Sequence, residues 1–147
     1  MMFKTHIAFG FLAGLIALKF FSVSNPVLFL TLVVLASALP DIDHPNSKLG
    51  KKAKIISLFF EHRGFFHGIF AAFLFGGLAY YFLKGYFLAV FLGYVSHLVI
   101  DAITLEGIMP LHPVSRFRLN GIFRTGSIFE YLIFVLIIVA NGYFLLH

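Results

Sequence analysis

The chain has 147 residues, of which 61% are hydrophobic and only 12% charged, and its mean hydropathy is +0.99. A water-soluble domain needs roughly a quarter of its residues charged to cover its core, so lipid is the expected solvent for most of the outer surface. No cysteine is present, which excludes disulfides, thiolate nucleophiles and Cys-ligated zinc. The net charge of +5 fits the Lys/Arg bias of membrane loops better than nucleic-acid binding, and no nucleic-acid partner is expected.

Five apolar stretches follow one another at roughly 5–21, 27–39, 65–83, 86–104 and 128–146. A bilayer core about 30 Å thick needs roughly 20 helical residues to cross it. The sequence thus predicts an all-α integral membrane bundle of about five transmembrane helices, forming a single domain over 1–147. The second stretch is short and starts after Asn25-Pro26, and the tight turn from Ser22 to Pro26 makes the first two an antiparallel hairpin. A signal peptide ending at Ser22-Val23-Ser24 is the other reading of the first stretch. Lys19-Phe20-Phe21, just before that point, argues against cleavage.

The basic residues set the orientation. With the N-terminus cytoplasmic, Lys4, Lys48, Lys51, Lys52, Lys54, Arg63, Arg116, Arg118 and Arg124 lie inside, and only Lys19 and Lys84 lie outside. That asymmetry follows the positive-inside rule, and the four lysines after helix two also suit anionic lipid. The expected location is the cytoplasmic (inner) membrane, crossed several times.

Under that topology six of the seven histidines and all six acids fall on the cytoplasmic face, with only His147 opposite. A shared site is the simplest cause. His6, Gly10 and Gly14 recur every fourth residue on helix one, as do Ala89, Gly93, His97 and Asp101 on helix four. Small residues at that spacing mark faces where membrane helices approach closely, so the histidines look toward neighbouring helices. Gly64, Gly68, Ala72 and Gly76 extend the pattern to helix three, with His67 one position away.

An aspartate at membrane depth costs about 2.5–3.5 kcal/mol on insertion scales, which Asp101 must recover from a partner. His97 and Asp101 are four residues apart and converge on one point, a good pair of metal ligands, with Thr104 one turn on as a supporting donor. A packing hydrogen bond between helices is the plainer reading of the same pair. Asp41-Ile42-Asp43-His44 offers further ligands after helix two, although Pro40 and Pro45 also suit a simple polar turn. His62-Arg63-Gly64 with His67 could anchor at the interface. Arg63 among histidines reads better as an oxyanion clamp. His112 and Glu130 are weaker candidates.

These residues resemble the YdjM-like inner-membrane proteins assigned as metal-dependent hydrolases. The likeness rests on Thr5-His6, the segment Leu39-Pro40-Asp41-Ile42-Asp43-His44-Pro45-Asn46-Ser47, His62-Arg63-Gly64 with His67, and His97-x-x-x-Asp101 with Thr104 and Gly107. A proline segment, Met109-Pro110-Leu111-His112-Pro113, completes it. The His-x-x-x-Asp element is also similar to one in zinc-dependent phospholipase C and related nucleases. This chain departs from the family at Phe66 and Gly68, where a threonine and a serine are usual, and at His112, where tryptophan is expected.

The resemblance implies a hydrolase, and location and Arg63 direct it to the phosphoester of a membrane lipid or lipid-linked substrate. His6, Asp41, Asp43, His67, His97 and Asp101 are the expected ligands of one or more divalent ions, zinc first and manganese second. Arg63 would stabilise developing negative charge, and His62 or His44 would act as general acid. A non-enzymatic metal carrier or sensor using the same cluster is the alternative. An intramembrane metalloprotease would be expected to show His-Glu-x-x-His, which the sequence lacks.

Overall fold

The computed structural model describes residues 1–43 and 64–147. Five α-helices follow in order: α1 (Phe3–Phe20), α2 (Pro26–Ala36), α3 (Ile69–Phe82), α4 (Phe87–Ala102) and α5 (Ile128–Leu146). Two 3₁₀ turns, Leu39–Asp43 and Phe65–His67, sit between α2 and α3. Among the described residues the only β pairing is two isolated bridges, Thr104 with Phe123 and Ile108 with Leu119.

Local sequence sets most helix ends. Asn25 accepts a hydrogen bond from the Leu28 N–H at 3.0 Å, and Pro26 fills the first helical position where no N–H is needed. Lys84 and Gly85, both at positive φ, turn the chain from α3 into α4. Two expected spans are shorter than read from hydropathy. The second stops at Ala36, and Leu39-Pro40-Asp41-Ile42-Asp43 winds into a 3₁₀ turn. The third begins at Ile69 rather than 65, because extended Gly68 (φ −110°, ψ 158°) breaks the chain into the turn Phe65–His67 and a separate helix. Gly64 and Gly68 therefore lie before α3, and only Ala72 and Gly76 of that stripe lie on it.

Helices α1 and α5, of 18 and 19 residues, are long and apolar enough to cross a membrane; α2, α3 and α4 are shorter apolar helices. The 11 residues of α2 rise only about 16 Å. The buried Ser37, Ala38 and Pro40 carry the chain onward from its end. Irregular backbone at membrane depth is tolerated where protein buries it, as here.

Helix α4 is the hub. It packs against α1, α2 and α3, while α5 packs on α1. Small residues make the crossings close: a Cβ on Gly93 would lie 2.1 Å from the Val33 carbonyl oxygen of α2, and one on Gly10 would lie 2.6 Å from Ser37 Cβ. Alanines and β-branched residues fill the seams, with Ala17, Phe29, Val33 and Ala89 between α1, α2 and α4, and Ala8, Ile100 and Ile137 between α1, α4 and α5. The exposed faces stay apolar, as on α5, where Leu132, Val135, Leu136 and Val139 point outward. A helix that is hydrophobic all round belongs in lipid.

Candidate metal centre

The close α1–α2–α4 crossings bring five polar side chains to one end of the helices. His6 comes from the first turns of α1, Asp41 from the 3₁₀ turn after α2, His67 from the turn before α3, and His97 and Asp101 from the last turns of α4. His6, His67, His97 and Asp101 are each no more than 1% exposed, and Asp41 is 18% exposed. The structure thus unites five of the six expected ligands. The sixth, Asp43, closes the 3₁₀ turn, and its side chain lies outside the description. His44, His62, Arg63 and the lysines Lys48, Lys51, Lys52 and Lys54 also lie outside the described residues.

The distances are those of ligands around a common centre. His6 Nε2 is 3.3 Å from Asp101 Oδ1, while His67 Nε2 and His97 Nε2 are 3.6 and 3.7 Å from Asp101 Oδ2. His97 Nε2 is also 3.8 Å from Asp41 Oδ1. Donors about 2.1 Å from a tetrahedral ion stand roughly 3.4 Å apart, so these gaps suit shared coordination. Two groups, His6 with His97 and Asp101, and Asp41 with His67 and His97, each place their ligand atoms within 4.8 Å of one another. His97 belongs to both. Asp101 Oδ1 faces His6 and Oδ2 faces both His67 and His97, so one carboxylate meets imidazoles of both groups.

The tautomer of His97 shows why these residues fit a cation. Its Nδ1 lies 2.8 Å from the Ser37 carbonyl oxygen. A carbonyl only accepts, so Nδ1 carries the proton and, in the neutral ring, Nε2 presents a lone pair. That lone pair faces carboxylate oxygens of both Asp41 and Asp101, three electron-rich groups gathered in a buried pocket. Such an arrangement is costly without positive charge between them. Neither ring nitrogen of His6 makes a hydrogen bond with a described residue, although its ring stacks on that of His97 at 3.7 Å and 10°. The Met1 amino group also reaches Asp101 Oδ1, a cation placed against the same carboxylate.

The surrounding shell holds these groups by means that spacing alone did not reveal. Ser37 aims His97, and the Tyr94 hydroxyl donates to the Phe66 carbonyl at 2.6 Å, fixing the turn that carries His67. Tyr94, His97 and Asp101 sit at i, i+3 and i+7 on one face of α4, a spacing that could have flagged the tyrosine. Thr104, the expected supporting donor of the His97 and Asp101 pair, lies one turn past Asp101, and its hydroxyl donates to the Asp101 backbone carbonyl at 2.7 Å. Glu130 stands apart from both ligand groups and serves as a clamp, accepting from Met2 N–H, Thr5 Oγ1 and Gly126 N–H at 2.5, 3.1 and 2.7 Å. His112 is half-buried on the loop after α4 and joins neither group.

The chain matches a family model described as YdjM inner membrane protein over residues 1–146. It is 34% identical over 152 residues to the uncharacterized protein YvsG of Bacillus subtilis, an alignment covering 96% of this chain and 92% of that one. It is 42% identical over 100 residues to the inner membrane protein YdjM of Escherichia coli, covering 58% of this chain and 50% of that protein. The YdjM of Shigella flexneri matches to the same extent. No solved structure matches the chain.

Proposed function

The chain belongs to the YdjM inner membrane protein family, and from that premise we propose that it is a membrane-embedded, metal-dependent hydrolase. Its substrate is the phosphoester of a lipid or lipid-linked molecule, taken at the cytoplasmic face of a single multi-pass domain. One observation carries the reading: the His97 Nε2 lone pair is aimed between two carboxylates, with His6 and His67 closing around the same point. Bound there, a divalent ion supplies water activation and polarisation of a phosphoryl oxygen, zinc being the first candidate and manganese the second.

The protein's own part is positional. His6, Asp41, His67, His97 and Asp101 would hold the ion, with Asp43 as a sixth ligand on the sequence alone. Ser37 orients the His97 imidazole, and Tyr94 fixes the turn that carries His67. Asp41, the most exposed of the described ligands, marks the side from which a headgroup enters. Arg63 would pair with the phosphoryl oxygens and His62 or His44 would protonate the leaving group; these three roles rest on the sequence alone.

Near-complete burial of four ligands favours a second reading, a metal-binding protein without chemistry, since a catalytic ion needs an open position. Two measurements separate the readings. Elemental mass spectrometry of the detergent-purified protein should find zinc or manganese that His97→Ala and Asp101→Ala lose. Metal-reloaded wild type should then release phosphate or headgroup from phospholipid or lipid-phosphate substrates. Metal without turnover across that screen leaves the binding protein, and a well-folded wild type that takes up no metal overturns both.

A further inference from the structure

The segment between α4 and α5 exposes large apolar side chains beside its charges, unlike an aqueous loop. Val114, Phe117 and Ile122 are 79%, 61% and 80% exposed. Arg116, Arg118 and Arg124 alternate with them and are exposed too. Glu106 is the only acid between α4 and α5, so the segment carries three positive charges against one negative. Three large apolar side chains held in water would be a standing cost. Beside them stand three guanidinium groups, of which Arg118 donates to the neutral Glu106 carbonyl at 3.0 Å, a bond that leaves its charge to attract an anion.

The apolar character continues from the lipid side of the fold. Ile128 and Phe129, on the first turn of α5, are 74% and 60% exposed. The loop thus extends a face that already meets lipid. It is also held in shape. Ile108 and Leu119 exchange both backbone hydrogen bonds at 2.9 Å, and Gly121 N–H and Leu105 N–H bond to Thr104 O and Phe123 O at 2.9 Å. Gly121 passes so close to Ile103 that a Cβ would lie 2.3 Å from its carbonyl oxygen.

We propose that residues 114–124 form a binding element for an anionic leaflet, in which Val114, Phe117 and Ile122 enter the acyl boundary while Arg116, Arg118 and Arg124 hold lipid phosphates. Aromatic and aliphatic side chains flanked by arginine suit the headgroup layer, where one end is apolar and the other charged. The element is wired to the metal centre at two points. Thr104, which anchors the loop, bonds to the Asp101 carbonyl, and Ile69 N–H, two residues from His67, bonds to the Pro110 carbonyl at 2.8 Å. Seating in the leaflet therefore stabilises the backbone that carries two ligands. This inference holds whether or not the centre is catalytic.

The chain contains no tryptophan, so Phe117→Trp gives a sole tryptophan reporter, excited selectively at the red edge where the six tyrosines do not absorb. The full-length variant is reconstituted into vesicles mixing phosphatidylcholine and phosphatidylglycerol, with shallow acyl-chain bromines on one lipid or the other at equal amounts. Quenching by brominated phosphatidylglycerol is expected to exceed that by brominated phosphatidylcholine by roughly threefold. Replacing Arg116, Arg118 and Arg124 together by Gln should equalise the two. Ile122→Trp repeats the test should the first reporter fail to fold. Equal quenching by both lipids with the arginines intact would overturn the headgroup role. Emission quenched by aqueous iodide and by neither lipid would overturn the seating altogether.

Discussion

Gly93→Ala tests whether the α2–α4 crossing positions the metal centre. The added Cβ would stand 2.1 Å from Val33 O, against a floor of 3.0 Å for real Cβ contacts, so the backbones must separate by about 0.9 Å. Val33 O accepts from Ser37 N–H, which couples that movement to the residue aiming His97. Carried through, it lengthens the 2.8 Å contact from His97 Nδ1 to Ser37 O to roughly 3.7 Å, beyond hydrogen-bond reach. Overpacking a tight seam costs about 1–3 kcal/mol, and the lost hydrogen bond roughly 1 more. Gly77→Ala is the control. It lies on α3, its Cβ meets nothing within 4 Å, and the helix gains up to about 1 kcal/mol from alanine. Thermal unfolding in detergent and bound metal are measured together. Gly93→Ala should lower Tm by several degrees and release most of the metal, while Gly77→Ala should do neither. Equal behaviour of the two variants would refute the claim that this crossing sets the site.

Asp101→Asn keeps the shape of the side chain but removes the charge that faces His6, His67 and His97, so metal content should fall by at least about tenfold. Elemental analysis of the folded fraction checks it, and retention of full metal would count against Asp101 as a ligand. Glu130→Ala strands two backbone N–H donors and the Thr5 hydroxyl and should cost about 2–4 kcal/mol in unfolding experiments, with metal retained at low temperature. Tyr94→Phe removes the hydroxyl that donates to the Phe66 carbonyl, so stability should drop by about 0.5–1.5 kcal/mol and metal should dissociate faster, as competition with a chelator would show. Asn141→Leu removes the bond from Nδ2 to Ala8 O between α5 and α1 and should cost only about 0.6 kcal/mol, since unfolded states in the membrane also find partners.

Hydropathy located all five helices, because a chain in lipid must bury its backbone polar groups segment by segment. The last helix, 128–146, and the first were read to within two residues. The misjudged ends fall at the two 3₁₀ turns. Apolar content runs smoothly through Leu39 and through Phe65-Phe66, so a hydropathy reading continues the helix, whereas Pro40 and extended Gly68 end it. Glycine at 64 and 68 looked like a packing stripe. Both lie before α3, and Gly68 packs closely on the loop after α4, where a Cβ would lie 3.0 Å from the His112 carbonyl oxygen; periodicity marks the close approach but not the element that is met.

Those two breaks are what assemble the centre. A straight continuation of α2 or α3 would carry Asp41 and His67 along their own helix faces, whereas each turn brings the side chain across to α4. The pair His97 and Asp101 was legible because four-residue spacing is a property of one helix. So was the close approach of His6, announced by Gly10 and Gly14 below it. The Ser37 carbonyl was not legible, since a backbone acceptor has no signature in the sequence. Yet that carbonyl fixes which nitrogen of His97 faces the two aspartates, and it is available because α2 stops at Ala36. The shortness of α2, which by length alone reads as a defect in a membrane span, thus frees the acceptor that orients the central ligand.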